Sequence, residues 1–271
     1  MGWRFSPPPD PGAPTPALAL VVALAAERRA RERAVGAHRR TRHAGIPCSH
    51  GRLAGQELLL LQAGIGASRA RDTLLGMGRS VTLAGAWSLG FAGGLRPALR
   101  MGDLVCPERV LRTPAAAGAA LAAPPAQARI LDGLRTAGHS AHGGPLLTVE
   151  APLRLPEAKG RAAAETGAAA VDMEAAGVAE AAVELGIPWL ALKVILDPAD
   201  QPLDGRLARC STPEGNPRWS GILAVLAAGP EAWRMLWRMR RAARLAATSL
   251  ARGLEPALLA WPRLDATRAL Q

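Results

Sequence analysis

The stretch Val171–Asp200, VDMEAAGVAEAAVELGIPWLALKVILDPAD, most restricts the folds open to this chain. It holds a small-residue helix closed by Gly186 and Pro188, then the apolar run WLALKVIL. Glycine just past a helix with proline beyond it is a helix stop. A short, continuous apolar run predicts a buried strand, and Ala168–Val171 predicts another. Glu174 then stands just past one strand end and Asp197 just past a second. Open α/β sheets bind ligands at that edge, so the pattern predicts a pair of carboxylates in one site. Taken singly, each acid has a plainer role: Glu174 at a helix N-terminus, Asp197 capping a turn before Pro198.

The rest of the chain alternates in the same way. Residues 1–16 are proline-rich and predicted to be disordered. Ala17–Ala26 (ALALVVALAA) is ten residues long, too short to span a bilayer, and predicts the first core strand rather than a signal-peptide core. A helix is expected to begin at Glu27. Strands are predicted at Leu58–Gln62, Val81–Trp87 and Leu104–Val110, and helices from Gly66 to Leu75 and over Pro156–Thr166. Strands alternating with helices imply a layered α/β fold.

Composition excludes some chemistry. Cys48, Cys106 and Cys210 form no CxxC pair, and the five histidines include no HExxH, so no metal is expected. Reduced thiols fit a cytoplasmic protein. The net charge is +11, and only Lys159 and Lys193 of the 33 basic residues are lysine. From Arg218 to Gln271 nine arginines face three acids. There WSGILAVLAAGPEAWRMLWRMRRAARLAATSLARGL (219–254) predicts two helices broken at Gly229-Pro230. On the second, Met235, Leu236, Met239, Ala243 and Ala246 share one face, and Arg234, Arg238, Arg241 and Arg244 the other. Trp233 and Trp237 lie at the margin, a pattern suited to docking on the chain's own domain or on a membrane surface. No nucleic-acid-binding motif is present.

Three blocks, LLLLQAGIGASRA (58–70), VTLAGAWSLGFAGGLRPALRMGDLVCPERV (81–110) and the Met173-Glu174…Asp197 segment, resemble the purine and uridine phosphorylase superfamily over roughly Ala17 to Asp200. That superfamily includes the methylthioadenosine and adenosylhomocysteine nucleosidases. The resemblance implies a three-layer α/β/α fold with a mixed central sheet over 17–216, followed by a basic amphipathic helical extension over 217–271. It implies a homo-oligomer binding a small nucleoside. Glu174 would hold the ribose hydroxyls with Met173 packed beneath the ribose, and Asp197 would protonate, or bond to, the purine near N7. Phe91, Ala92, Gly93 and Glu150 would complete the nucleoside site. Cleaving an N-glycosidic bond builds positive charge on the sugar and negative charge on the base, which such a pair of acids answers.

The nucleophile is left open. Arg28 and Arg29 follow the first strand, where phosphorolytic relatives carry an arginine, and Gly64, Gly66 and Gly90 could offer N–H groups to an anion. Inorganic phosphate is therefore the expected co-substrate, with no organic cofactor. Phe91 and Ser88 depart from the phosphate-binding pattern of those relatives. Within the superfamily the AAERRA opening, the VDMEAAGVAE…DPAD exit with Leu196 in place of a serine, and the Arg/Trp-rich tail resemble the hopanoid-associated phosphorylases. That resemblance implies release of adenine from adenosylhopane, with 217–254 touching the inner face of the membrane. A hydrolytic nucleosidase and an inactive nucleoside- or lipid-binding protein are the alternatives.

Overall fold

The computed structural model describes residues 16–25, 27–28, 32, 35–36, 39–43, 45–113, 121–122, 125–205, 210, 212–214, 216 and 218–262. The proline-rich segment 1–15, Arg29 and most of the helix expected after Glu27 lie outside these residues.

Leucine, valine and alanine runs build one sheet of twelve strands among the described residues. They are β1 (Ala17–Val22), β2 (Arg39–His43), β3 (Ile46–Leu53), β4 (Gln56–Gln62), β5 (Leu83–Gly94), β6 (Leu104–Val105), β7 (Arg109–Arg112), β8 (Leu121–Ala122), β9 (Ala141–His142), β10 (Leu146–Thr148), β11 (Ala170–Asp172) and β12 (Trp189–Asp197). The helices are α1 (Ala67–Gly78), α2 (Ala126–Thr136), α3 (Pro156–Thr166), α4 (Ala175–Glu184), α5 (Trp219–Ala227) and α6 (Pro230–Ala260).

The sheet is mixed, and β5 is its branch point. Its first part runs parallel to β1 on one side and β12 on the other. Beyond the end of β1, its last residues, Gly93 and Gly94, pair antiparallel with Val171 and Ala170 of β11, while β12 stays alongside as far as Gly93. The strand therefore runs on past Trp87, its expected end, and through these glycines. Those glycines matter because side chains would fill the branch: a Cβ at Gly93 would lie 3.1 Å from Asp197 Oδ2.

Two apolar layers cover the sheet, as in an α/β/α sandwich. On one face α1 and α4 pack Leu74, Met77, Val178 and Ala182 against Ala19, Leu59 and Ala191. On the other face α2 and the second half of α6 pack Ile130, Leu134, Leu250, Leu254 and Trp261 against Leu18, Leu20 and Trp87. Trp87 and Trp261 meet edge to face with centroids 5.3 Å apart. The sequence boundary at 217 thus cuts through the core: from Ala246 onward α6 belongs to the folded sandwich. Its first half is different, leaving Trp233 57% and Trp237 62% exposed. No helix among the described residues is long and apolar enough to cross a membrane.

Candidate active site

The branch at β5 brings the ends of three strands to one cavity. Glu27 follows β1, Glu174 follows β11, and Asp197 closes β12; all three line it. The remaining wall is largely apolar, with Leu24, Ile65, Val149, Leu153, Leu196 and Leu203. Met173, Phe91, Ala92 and Gly93 are in the same wall.

Asp197 owes its placement to an irregularity. Ile195 pairs with Ala92, but Asp197 pairs with Gly93, so Leu196 is an extra residue in β12. Strict alternation would turn Leu196 and Asp197 to opposite faces; a bulge lets both face the cavity. Lys159 of α3, fully buried, places its Nζ 2.6 Å from Asp197 Oδ2. The same ammonium donates to the carbonyls of Pro198 (2.8 Å) and Gln201 (3.0 Å). Burial pushes the Asp197 carboxyl up to about 6, against the downward pull of Lys159.

Glu174 stands at the N-terminus of α4 but does not cap it. Asp172 does that, accepting from the N–H of Ala175 at 2.9 Å. Glu174 instead accepts from the N–H of Gly66, which opens α1, at 3.0 Å. This needs α1 and α4 in close contact. A Cβ at Gly177 would lie 1.8 Å from the Ala67 carbonyl oxygen, so only glycine permits the approach. Enclosure pushes the Glu174 carboxyl up to about 7; neighbouring Asp172 adds to the rise and Lys193 opposes it. Lys193 is itself buried between Asp172 Oδ2 and Ser88 Oγ, 2.8 Å from each.

Glu27 was not among the expected site residues. Its Oε2 accepts from the N–H groups of Ala23 (3.1 Å) and Leu24 (2.9 Å), and its Oε1 from that of Phe91 (3.0 Å). The same signal that marks Glu174 and Asp197, an acid just beyond a strand, could have found it. Lys159 carries a weaker signal: it is one of two lysines in an arginine-rich chain, and both are buried against acids of this region.

The residues expected to hold phosphate do not come together. Arg28 does not line the cavity; its guanidinium pairs with Glu32 and bonds Gln62 Oε1 at 3.1 Å. Arg29 lies outside the described residues. The N–H of Gly66 is occupied by Glu174. A Cβ at Gly64 would meet the Pro213 carbonyl and one at Gly90 the Glu27 carboxylate. Glu150 is exposed in an adjoining depression beside Ser68, Arg69 and Arg112, and Ile65 and Val149 line both that depression and the cavity.

The sequence matches the phosphorylase superfamily over residues 16–220. The chain belongs to that superfamily. Its fold is similar to the 5'-methylthioadenosine/S-adenosylhomocysteine nucleosidase from Neisseria meningitidis in complex with methylthio-immucillin-A (17% identity, TM-score 0.70, covering 90% of this chain and 99% of the other). It is also similar to a futalosine hydrolase mutant of Helicobacter pylori (16%, TM-score 0.69, covering 90% and 99%). A mutant nucleosidase from the same organism, with 5'-methylthioadenosine in its active site, matches at 16% and TM-score 0.70, covering 90% and 98%. No curated protein matches. For this superfamily member the three-layer mixed-sheet architecture is thus shared with enzymes that differ from it at most positions.

Proposed function

We propose that the protein cleaves the N-glycosidic bond of a 5'-substituted adenosine and releases adenine, with water as the nucleophile. The observation that carries this is the convergence of Glu27, Glu174 and Asp197, each from a different strand end, on one largely apolar cavity whose fourth acid, Asp172, is tied to buried Lys193. Three carboxylates suit a reaction that needs a base, a counter-charge and an acid. In this reading Glu174 holds the ribose hydroxyls and offsets the positive charge that grows on the sugar. Glu27 takes a proton as water attacks C1', the C1'–N9 bond breaks, and its electron pair passes into the base. Protonated Asp197 delivers its proton at N7, so adenine leaves neutral. A raised carboxyl at Asp197 fits a proton donor near neutral pH. The similar nucleosidases, with a nucleoside or its analogue bound, support the substrate class.

The 5' substituent we infer is a large apolar one, as in adenosylhopane. Leu196, Asp197 and Leu203 line both the cavity and a larger groove of about 890 Å³ that runs under Met239 and Ala242 of α6 and is also lined by Asp204, Glu231, Arg234 and Arg238. A nucleoside held at the three acids could extend its 5' group along that groove. The exposed Trp233 and Trp237, beside Arg234, Arg238 and Arg241, suit the headgroup zone of an anionic membrane where such a substrate resides. The reading thus includes a cytoplasmic enzyme that touches the inner membrane face and self-associates, as the resemblance implies.

Phosphate as co-substrate is the second reading. Arg28 after β1 is what favours it, and its engagement by Glu32 is what weighs against it. The test is adenine release from 5'-substituted adenosines with and without phosphate. The proposal expects an equal rate and a free reducing sugar. A rate that requires phosphate, with a sugar 1-phosphate product, overturns the water reading. No adenine release from any member of the panel overturns the enzymatic one.

A further inference from the structure

The hairpin of β2 and β3 lies apart from the cavity, and its sequence carries no metal signature. Its register nevertheless gathers soft donors. Thr41 pairs with Cys48, Arg39 with His50 and His43 with Ile46 in an antiparallel ladder. Alternation then puts Thr41, His43, Cys48 and His50 on one face, while Arg40 and Ser49 turn to the other and bond Glu32. His43 and His50 lean across the Thr41–Cys48 pair until their Nε2 atoms are 3.3 Å apart. The buried Cys48 thiol lies between them in sequence, and one ligand atom from each of His43, Cys48 and His50 falls within 4.8 Å of the others. Thr41 Oγ1 sits 3.1 Å from Cys48 Sγ and 3.2 Å from His50 Nε2.

We propose that His43, Cys48 and His50 bind one divalent cation of the zinc class. The distances favour it. Two imidazole nitrogens at the usual Zn–N length of about 2.0–2.1 Å in a tetrahedral field stand roughly 3.3–3.4 Å apart. The spacing of the two Nε2 atoms is already 3.3 Å. Two such nitrogens facing each other need a proton between them, and a metal ion replaces that proton. Two imidazoles and a thiolate are the donors that zinc-class ions prefer over magnesium or calcium. The thiol would lose its proton to solvent on binding. A water held by Thr41 Oγ1 would complete four-coordination. The consequence is structural. β2 is an edge strand whose residues are mostly exposed and include three arginines, so its one ladder holds it weakly. A metal bridge from His43 to Cys48 and His50 would clip it to the sheet.

The test uses the full chain, stripped with chelator and titrated with ZnCl₂ by calorimetry, then with CoCl₂ by absorption. The expected result is one ion per chain, a thiolate-to-cobalt charge-transfer band, and the intense visible bands of four-coordinate cobalt. Zinc should raise Tm. Cys48→Ser should abolish the charge-transfer band, and His50→Gln should weaken zinc binding on the order of 10²-fold. Cys210→Ser, at the partly exposed cysteine elsewhere, should leave both unchanged. Absence of stoichiometric binding overturns the proposal. So does binding that survives in folded Cys48→Ser with its charge-transfer band intact. Circular dichroism of each apo variant separates loss of ligand from loss of fold.

Discussion

The ammonium of Lys159 sits 2.6 Å from the carboxylate of Asp197, and both are buried. One oxygen of Asp197 is thereby fixed, which leaves the other to face a substrate. The pair also sets when Asp197 holds a proton: burial raises its pKa to about 6 and Lys159 limits the rise. Lys159→Met should raise it further, because a buried carboxylate without its cation favours the neutral form. The descending alkaline limb of kcat/KM should then move to higher pH. A purely architectural lysine would lower Tm and leave that limb in place. The pH profile of adenine release, measured where the variant is folded, separates the two.

The wild-type profile itself is constrained. In the proposed mechanism activity requires ionised Glu174, whose carboxyl is held up at about 7, and protonated Asp197, held at about 6. kcat/KM should rise as Glu174 loses its proton and fall as Asp197 loses its own. The expected curve is a narrow bell with its maximum between about pH 6 and 7. A flat profile from pH 5 to 9 would remove one of the two assigned roles.

Glu27 gives the sharpest test of the nucleophile. Glu27→Gln keeps one acceptor oxygen, for the N–H groups of Ala23 and Leu24, but sets an NH2 against that of Phe91 and loses the basic oxygen. Adenine release should fall by ~10²–10⁴-fold with the fold intact. Arg28→Gln should change the rate far less, since its guanidinium is committed to Glu32 and Gln62. The reverse ranking in a steady-state assay would return the chemistry to phosphate.

Much of the architecture could be read from local pattern. Helix α3 spans the residues expected from sequence, and β12 matches its apolar run plus Asp197. These are segments where period, punctuation and burial agree. Glu174 and Asp197 line the same cavity, as the two strand ends suggested. What escaped the sequence was non-local. The β2–β3 hairpin begins RRTRH, which has no apolar alternation; only its pairing with β3, itself paired to β4, makes it strand. β5 runs on through its glycines because β11 and Asp197 need the space that side chains would fill. Arg28 looked like an anion ligand by position, yet Glu32, one helical turn onward, claims it. Lys159 is remote in sequence from Asp197, and no spacing rule links them. The second half of α6 looked like an extension because its apolar residues have no nearby partner in the chain order; the partners are Leu18, Leu20 and Trp87.

Glu174 should also tie function to stability. Its folded pKa of about 7 exceeds the ordinary 4.5, so the folded state holds the extra proton between those values. Stability therefore falls as pH rises from about 4.5 to 7 and stays reduced above that. Glu174→Gln removes the loss and can still accept the Gly66 N–H. The variant should be more stable than wild type by roughly 1–3 kcal/mol at pH 8 and equal to it at pH 4. It should release adenine far more slowly. Urea unfolding at the two pH values reads the difference; a variant less stable at pH 8 contradicts the raised carboxyl.

The two halves of α6 predict opposite outcomes for two kinds of change. Deleting it from residue 217 would strip Ala246, Leu250, Leu254, Leu258 and Trp261 from the sheet. Burying a single large apolar side chain stabilises by about 1.5–3 kcal/mol, so that truncation should not fold. It is therefore the wrong probe of membrane contact. Trp233 and Trp237 are exposed and lie outside the core, so Trp233→Ala/Trp237→Ala should keep Tm nearly unchanged. If the first half of α6 rests on a membrane, the double variant should lose most of its affinity for anionic liposomes. It should lose little for a short, soluble 5'-substituted adenosine, because neither tryptophan lines the cavity. Liposome co-sedimentation at two salt concentrations checks the arginine share, which high salt should screen. Equal sedimentation of wild type and variant would leave that helix face as ordinary solvated surface.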